Sequence, residues 1–264
     1  MELLQGIIAV VREAGEIMLN ADHIEETAEE KSGRANYVTA YDKKVQAFLF
    51  DRLAKVLPDA VFIGEEKEEN PPVSEGYVFI IDPIDGTTNF MKGYCVSCIS
   101  VGLLKEGQPY MGVVYNPYLD ELFSAEKGRG AFRNGSKIHV STHELKEGIV
   151  LFGTAPYNEE LSKRSFSLAY ELFKRSMDVR RSGSAAIDLC NVACGRAELY
   201  FELLLSPWDY AAGALILTEA GGKIMTADGK ELTFDRKNGV VAGTEGTLKE
   251  WVRLVTSHKD IMFL

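Results

Sequence analysis

No apolar run in the 264-residue chain approaches 18 residues, so nothing in it reads as a transmembrane span. Residues 1–11 lack a basic start, and Arg12, Glu13 and Glu16 follow at once, which argues against a signal peptide and for an amphipathic helix of the fold. Positive charge is scarce: 29 Lys and Arg face 39 Asp and Glu, a net charge of −10 that disfavours nucleic acid or an anionic membrane as partner. Histidine is limited to His23, His139, His143 and His258, each read as a surface residue. The four cysteines form two close pairs, Cys95 with Cys98 and Cys190 with Cys194. They read as reduced thilos of a cytoplasmic protein, the first pair within a strand and the second on one helix face, and not as a zinc cage. Gly-x-Ser-x-Gly, the P-loop and the dinucleotide fingerprint are all missing, so no side-chain nucleophile or nucleotide cradle announces itself.

What is present fits a compact enzyme, with 46% hydrophobic and 26% charged residues and neither linkers nor repeats. Strand patterns at 96–104 and 111–115 flank Lys105-Glu106-Gly107-Gln108, a hairpin signal, and residues 122–125 add a third strand. Helices are predicted at 159–175, 184–194 and 210–220. Strands are predicted at 199–202, 223–226 and 231–234, the last two around Ala227-Asp228-Gly229-Lys230. Antiparallel strands mixed with helices indicate an α+β fold.

The most informative stretch is Ile81-Asp82-Pro83-Ile84-Asp85-Gly86-Thr87-Thr88-Asn89-Phe90. The β-branched and aromatic run before it reads as a buried strand, and Gly86 onward reads as a short helix start. Asp82 and Asp85 on a turn between them can converge on a divalent cation, while free N–H groups at Gly86 and Thr87 face the anion that the cation holds. A self-capped turn is the bland alternative. An EF-hand fails, because Ile84, Gly86 and Gly93 fall where oxygen ligands are required.

Other acids stand at similar punctuation. Gly64-Glu65-Glu66 ends an apolar run, or simply begins the acidic loop that follows. Thr39 or Asp42 caps the helix carrying Val45, Leu49 and Leu53. Asp209, in Pro207-Trp208-Asp209-Tyr210-Ala211-Ala212-Gly213, reads as the N-cap of an Ala-rich helix whose small residues permit close packing.

These segments together, with Gly183-Ser184-Ala185-Ala186, resemble the inositol monophosphatase family of magnesium-dependent, lithium-sensitive phosphomonoesterases, across most of the chain. The resemblance implies a layered α-β-α-β-α sandwich of the inositol monophosphatase and fructose-1,6-bisphosphatase type: one domain of two intimate halves, about 1–145 and 146–264. It implies one Mg²⁺ held by Glu65, Asp82, the Ile84 carbonyl and Thr87, a second held by Asp82, Asp85 and Asp209, and a weaker third near Glu65 and Asp42. Asp42, Thr87 and Glu65 are the implied catalytic group, with Thr87, backed by Asp42, orienting the attacking water. Asp85, Gly86, Thr87, Gly183, Ser184, Ala185 and Glu202 are the implied substrate contacts, and Ser184 also reads as a helix N-cap.

Two departures from the family pattern are Asn36, bearing on a loop near Lys31, and Glu198, each where an aspartate is common. The implied activity is hydrolysis of inositol monophosphate or another small polyol or sugar phosphate by a cytoplasmic homodimer. Fructose 1,6-bisphosphate, a nucleotide 3′-phosphate and NADP are the alternative substrates. Thr88, where nucleotide-directed relatives tend to carry Lys, favours inositol, whereas Leu203-Leu204-Leu205 makes the approach to Trp208 more apolar than a polyol pocket suggests. A non-catalytic metal-binding protein is the remote alternative.

Overall fold

The computed structural model describes residues 2–31, 37–73 and 75–257; Asn36 and His258 lie outside the described residues. Helix α1 (Glu2–Leu19) buries Ile7, Val10, Val11, Ala14 and Met18, the helical stripe expected of the opening segment. The short strands β1 (Glu29–Glu30) and β2 (Tyr37–Val38) pair ahead of α2 (Ala40–Val56). Thr39 and Asp42 cap α2 reciprocally: the Thr39 N–H donates to Asp42 Oδ2 at 2.8 Å, and Thr39 Oγ1 accepts from the Asp42 N–H at 3.4 Å.

A seven-stranded sheet follows in chain order, from β3 (Val61–Gly64) and β4 (Tyr77–Asp85) through β5 (Cys98–Lys105), β6 (Gln108–Asn116), β7 (Glu121–Glu126), β8 (Ala131–Arg133) and β9 (Ser136–Lys137). The short helix α3 (Thr87–Met91) leaves the end of β4. Only β3 and β4 pair in parallel; the other neighbours are antiparallel.

The second sheet is built from β10 (Ile149–Phe152), β11 (Asp178–Arg180), β12 (Leu199–Leu205), β13 (Lys223–Thr226) and β14 (Asn238–Gly243), in the spatial order β11-β10-β12-β14-β13. Between its strands lie α4 (Glu159–Phe173), α5 (Ala185–Ala193) and α6 (Pro207–Glu219), and α7 (Glu245–Ser257) follows. Helices α1 and α2 cover the outer face of the first sheet, α5 and α6 lie between the sheets, and α4 and α7 cover the far side of the second. This is the α-β-α-β-α layering of an α+β fold.

Alpha6 lies tightly on the first sheet because both surfaces are small. A Cβ added at Gly112 of β6 would stand 2.7 Å from the Ala212 carbonyl, and one at Gly102 of β5 would stand 2.9 Å from the Ala211 Cβ. That contact carries the start of α6, with Asp209, to the end of β4.

Four local expectations change. Strand β4 runs through Asp85 instead of turning after Ile81, with a register shift between Asp82 and Asp85. A regular strand sends residues three apart to opposite faces, and the shift lets both acids approach one place. Asp209 is the third residue of α6, not its N-cap. Ser206 caps, and Asp209 Oδ2 accepts from the Ser206 N–H at 2.6 Å.

Residues 231–234 are not a strand: Tyr210 Oη donates to the Thr233 carbonyl at 2.6 Å and Asn238 Nδ2 at 3.1 Å, so β13 pairs with β14 instead. Cys95 lies outside β5, exposed at φ 59°, because side-chain donors take the loop's carbonyls: Asn116 Nδ2 reaches Cys95 O at 3.1 Å and Asn89 Nδ2 reaches Val96 O at 2.6 Å.

Candidate active site

The end of β4 gathers the acids. Asp82 is 2% exposed and Asp85 8% exposed, because β4 is sheathed on both faces. Gly86 then turns the chain at φ 87° into α3, a conformation that disfavours any Cβ. This brings Thr87 Oγ1 within 3.2 Å of both Asp42 Oδ1 and the Ile84 carbonyl, either of which can take its one proton. Glu65 arrives from the end of β3, where its N–H donates to the Ile81 carbonyl at 3.2 Å. Lys31 Nζ lies 2.9 Å from Glu65 and also pairs with Glu66.

From the other half of the chain come Ser184, Glu202 and Asp209. Ser184 Oγ donates to Asp85 Oδ2 at 2.6 Å while accepting from the Ile187 N–H at 3.3 Å, so it caps α5 and ties Asp85 together. The Ala186 N–H donates to the same Asp85 oxygen at 2.7 Å. Glu202 Oε1 accepts from the Ala155 N–H at 3.1 Å and Oε2 from Tyr200 Oη at 2.9 Å. Asp85, Gly86, Thr87, Gly183, Ser184, Ala185, Glu202, Glu65 and Asp209 all line one cavity of about 360 Å³. Larger hollows elsewhere hold acids already paired with cations, Glu126 with Arg129 and Asp228 with Lys230.

The acids that line this cavity and those buried behind it, Asp42, Asp82 and Glu66, repel one another. Burial pushes the Asp42 carboxyl up to about 6 against the opposing Thr39 bonds, and pushes Asp85 up to about 6 against the Ser184 and Ala186 bonds. Burial first, and the Glu65 charge next, hold Asp82 and Asp209 well above the usual carboxylate range. Glu66 rises to about 7, again by burial and then by Glu65. Buried carboxylates need a counter-charge or a proton, and a multivalent cation supplies the first.

The donor set fits such a cation. All the groups are oxygens, as a hard divalent ion requires. Among the described residues no three Asp, Glu, His or Cys side chains form a ready-made cage. The hydrogen bonds explain why: they hold Asp82 Oδ1 to the Ile84 N–H at 3.0 Å, Asp85 Oδ2 to Ser184 and Ala186, and Asp209 Oδ2 to Ser206. One oxygen of each acid is anchored by protein, and the other is left for a ligand.

Other residues at the cavity were not singled out from the sequence. Tyr37, Tyr157, Arg181 and Asp188 also line it, and only Asp188 had a local cue, one turn into the helix that Ser184 caps. His23, His139 and His143 are exposed and lie apart from the cavity. All four cysteines are free thiols, and burial raises Cys98 and Cys190 far above the ordinary thiol range. Glu198, buried, accepts the Ile149 N–H at 2.6 Å, a structural use remote from the acids. Among the described residues no helix is long and apolar enough to cross a membrane.

Comparison with known proteins gives one answer. The inositol monophosphatase family model matches residues 1–259. Inositol monophosphatase 2 of Solanum lycopersicum is 40% identical over 94% of this chain and 96% of its own length. The solved extragenic suppressor protein suhB of Bartonella henselae superposes with a TM-score of 0.90 at 31% identity, covering 98% of this chain and 100% of that one. SaIMPase-II, solved with inositol monophosphate bound, matches at a TM-score of 0.84 and 28% identity over 99% of this chain and 96% of that one, and it has also been solved with 2′AMP bound. The chain is therefore a metal-dependent phosphoric monoester hydrolase and belongs to the inositol monophosphatase family.

Proposed function

We propose that the chain hydrolyses inositol monophosphate to inositol and phosphate with Mg²⁺. The observation that carries this reading is the β4 end, where Asp82 and Asp85 stand beside a helix start and meet Asp209 from the opposite half. Glu65, Asp82, the Ile84 carbonyl, Thr87, Asp85 and Asp209 would hold two ions, with a third near Glu65 and Asp42. Bound ions supply an acidified water and neutralise charge on the phosphoryl oxygens.

The chain's own residues do the rest. Asp42, fixed by Thr39, accepts from the Thr87 hydroxyl at 3.2 Å and so sets the direction of that hydroxyl's lone pairs toward an incoming water. Gly86 turns the chain at φ 87°, where a Cβ would meet the Val96 and Gly183 carbonyls, and so sets the start of α3, at which a phosphoryl oxygen would sit. Ser184 and the Ala186 N–H fix Asp85, while Glu202 faces the polyol. The halves about 1–145 and 146–264 act as one unit in this scheme. Two or three ions per site, lithium sensitivity, a homodimer and a cytoplasmic setting belong to the same proposal.

A second reading, a nucleoside monophosphate substrate, is favoured by Tyr37 and Tyr157 at the cavity, which offer a base an aromatic face. Phosphate release from myo-inositol 1-phosphate, fructose 1,6-bisphosphate, 2′AMP and a 3′,5′-nucleotide bisphosphate, with and without Mg²⁺, separates the readings. Fastest Mg²⁺-dependent release from the inositol ester, lost in Asp209→Asn, is the expected result. Release that needs no divalent ion, or that survives Asp209→Asn, overturns it.

A further inference from the structure

Four buried side-chain oxygens among the described residues have no hydrogen-bond partner: the hydroxyls of Ser97, Ser165 and Thr233, and Oδ1 of Asp188. Asp188 alone of these four lines the cavity that holds the phosphatase acids. It is 2% exposed, on the first turn of α5, one turn beyond the Ser184 that anchors Asp85. A buried carboxylate oxygen left unmade is a large penalty for a folded protein to carry without use.

The surroundings sharpen the point. Glu202, on the same wall, already has both oxygens engaged by the Ala155 N–H and by Tyr200 Oη. Asp85 has one oxygen held by Ser184 and Ala186. Asp188 Oδ1 is therefore a buried acceptor on this wall that the protein itself leaves unused. Arg181, also at the cavity and tied through Nε to Thr154 Oγ1 at 3.1 Å, supplies positive charge near Asp188. Burial works against the Asp188 charge, and the Ser182 hydroxyl and Arg181 work for it. An aspartate χ2 is broad and close to two-fold, so either oxygen can turn to the cavity.

A phosphate needs none of this: an acid placed beside a dianion repels it. A ring hydroxyl does, because it brings a donor and no charge. We propose that Asp188 is a specificity-determining residue that accepts a hydrogen bond from a ring hydroxyl of the polyol, on the side of the cavity away from the scissile phosphate. This rests on the phosphatase reading above and deepens it by assigning a hydroxyl-reading residue that metal and phosphate binding do not require. Esters without ring hydroxyls gain nothing from Asp188.

The test compares the full-length enzyme with Asp188→Asn at saturating Mg²⁺, using myo-inositol 1-phosphate and phenyl phosphate. Expected is a KM for the inositol ester raised about tenfold with kcat changed less than about twofold, and phenyl phosphate kcat/KM kept within about twofold. Equal losses on both esters, or an unchanged ratio between them, overturn the assignment, since a purely structural aspartate would act on both substrates alike. Should the variant fail to fold, the unmodified enzyme crystallised with Ca²⁺ and myo-inositol 1-phosphate answers instead. A ring oxygen within about 3.2 Å of an Asp188 carboxylate oxygen supports the inference, and only water there overturns it. An unmodified enzyme silent on both esters overturns the phosphatase reading and this inference with it. An active one whose selectivity survives Asp188→Asn overturns the inference alone.

Discussion

Replacing Ser184 by Ala removes a single oxygen that serves two elements. It deletes the 2.6 Å bond to Asp85 Oδ2 and the 3.3 Å N-cap bond to the Ile187 N–H. A hydrogen bond to a charged acceptor is worth about 1.5–3 kcal/mol, and a helix N-cap about 1 kcal/mol. Asp85 keeps the Ala186 N–H at 2.7 Å, so the loss is taken near the middle of the sum, about 3 kcal/mol. For a chain of this size that lowers Tm by about 6–12 °C. Freed on one side, Asp85 is no longer aimed, and loss of an outer-sphere partner weakens metal binding about tenfold.

Calorimetry at pH 7.5 reads the first effect, and Mg²⁺ half-saturation of phosphate release reads the second. Ser184→Thr keeps the hydroxyl and is expected to restore most of both. A Ser184→Ala protein melting within about 2 °C of the parent at unchanged Mg²⁺ half-saturation would refute the reasoning, as would a Thr variant no better than Ala.

Two further outcomes follow from the same site. Asp42 and Asp85 keep their protons up to about pH 6 when folded, against about 4 when unfolded, so the folded chain binds more protons across that window. The contribution of these two acids to the stability of the chelated protein is therefore largest near pH 4 and is lost as pH rises to about 6, by on the order of 3 kcal/mol for each acid at most. Mg²⁺ should restore more at pH 7.5 than at pH 4.5, and a chelated Tm that climbs from pH 4.5 to 6 contradicts this. Gly86→Ala places a Cβ 3.0 Å from the Val96 carbonyl and 3.2 Å from the Gly183 carbonyl in a backbone at φ 87°. It is expected to cost about 2–4 kcal/mol in urea unfolding and more than tenfold in phosphate release, and native-like values for both would sink it.

What could be read from the sequence was local. The β-branched run into Asp82, the caps at Thr39 and Ser184, and the hairpin at Glu106-Gly107, found at φ 51° and 71°, depend on neighbouring residues alone. Asp209 shows the limit: its place beside the helix start was legible, but Ser206 takes the cap because the Pro207 ring fixes the first helical residue. The run of residues 231–234 looked like a strand because its alternation is genuine. Tyr210 and Asn238 from elsewhere in the chain claim the carbonyl that a ladder needs. Arg181 carried no pattern of its own and Asp188 only its place one turn after Ser184, since both reach the cavity when the Ser184 segment is set against Asp85. The acids were recognisable as a set through the family resemblance, whereas their shared cavity is a fact of tertiary packing.

The second sheet places its latest-made strand near its middle. Beta14 lies between β12 and β13, although both leave the ribosome before it. Until residues 238–243 arrive, β12 shows a naked backbone edge just ahead of the segment that carries Asp209 into place. A nascent chain thus holds four acids of the cluster, Asp42, Glu65, Asp82 and Asp85, long before the frame for the fifth is closed. Closure of the sheet beside the Asp209 segment therefore waits on residues 238–243, and the open β12 edge is the kind of surface on which unfinished chains associate.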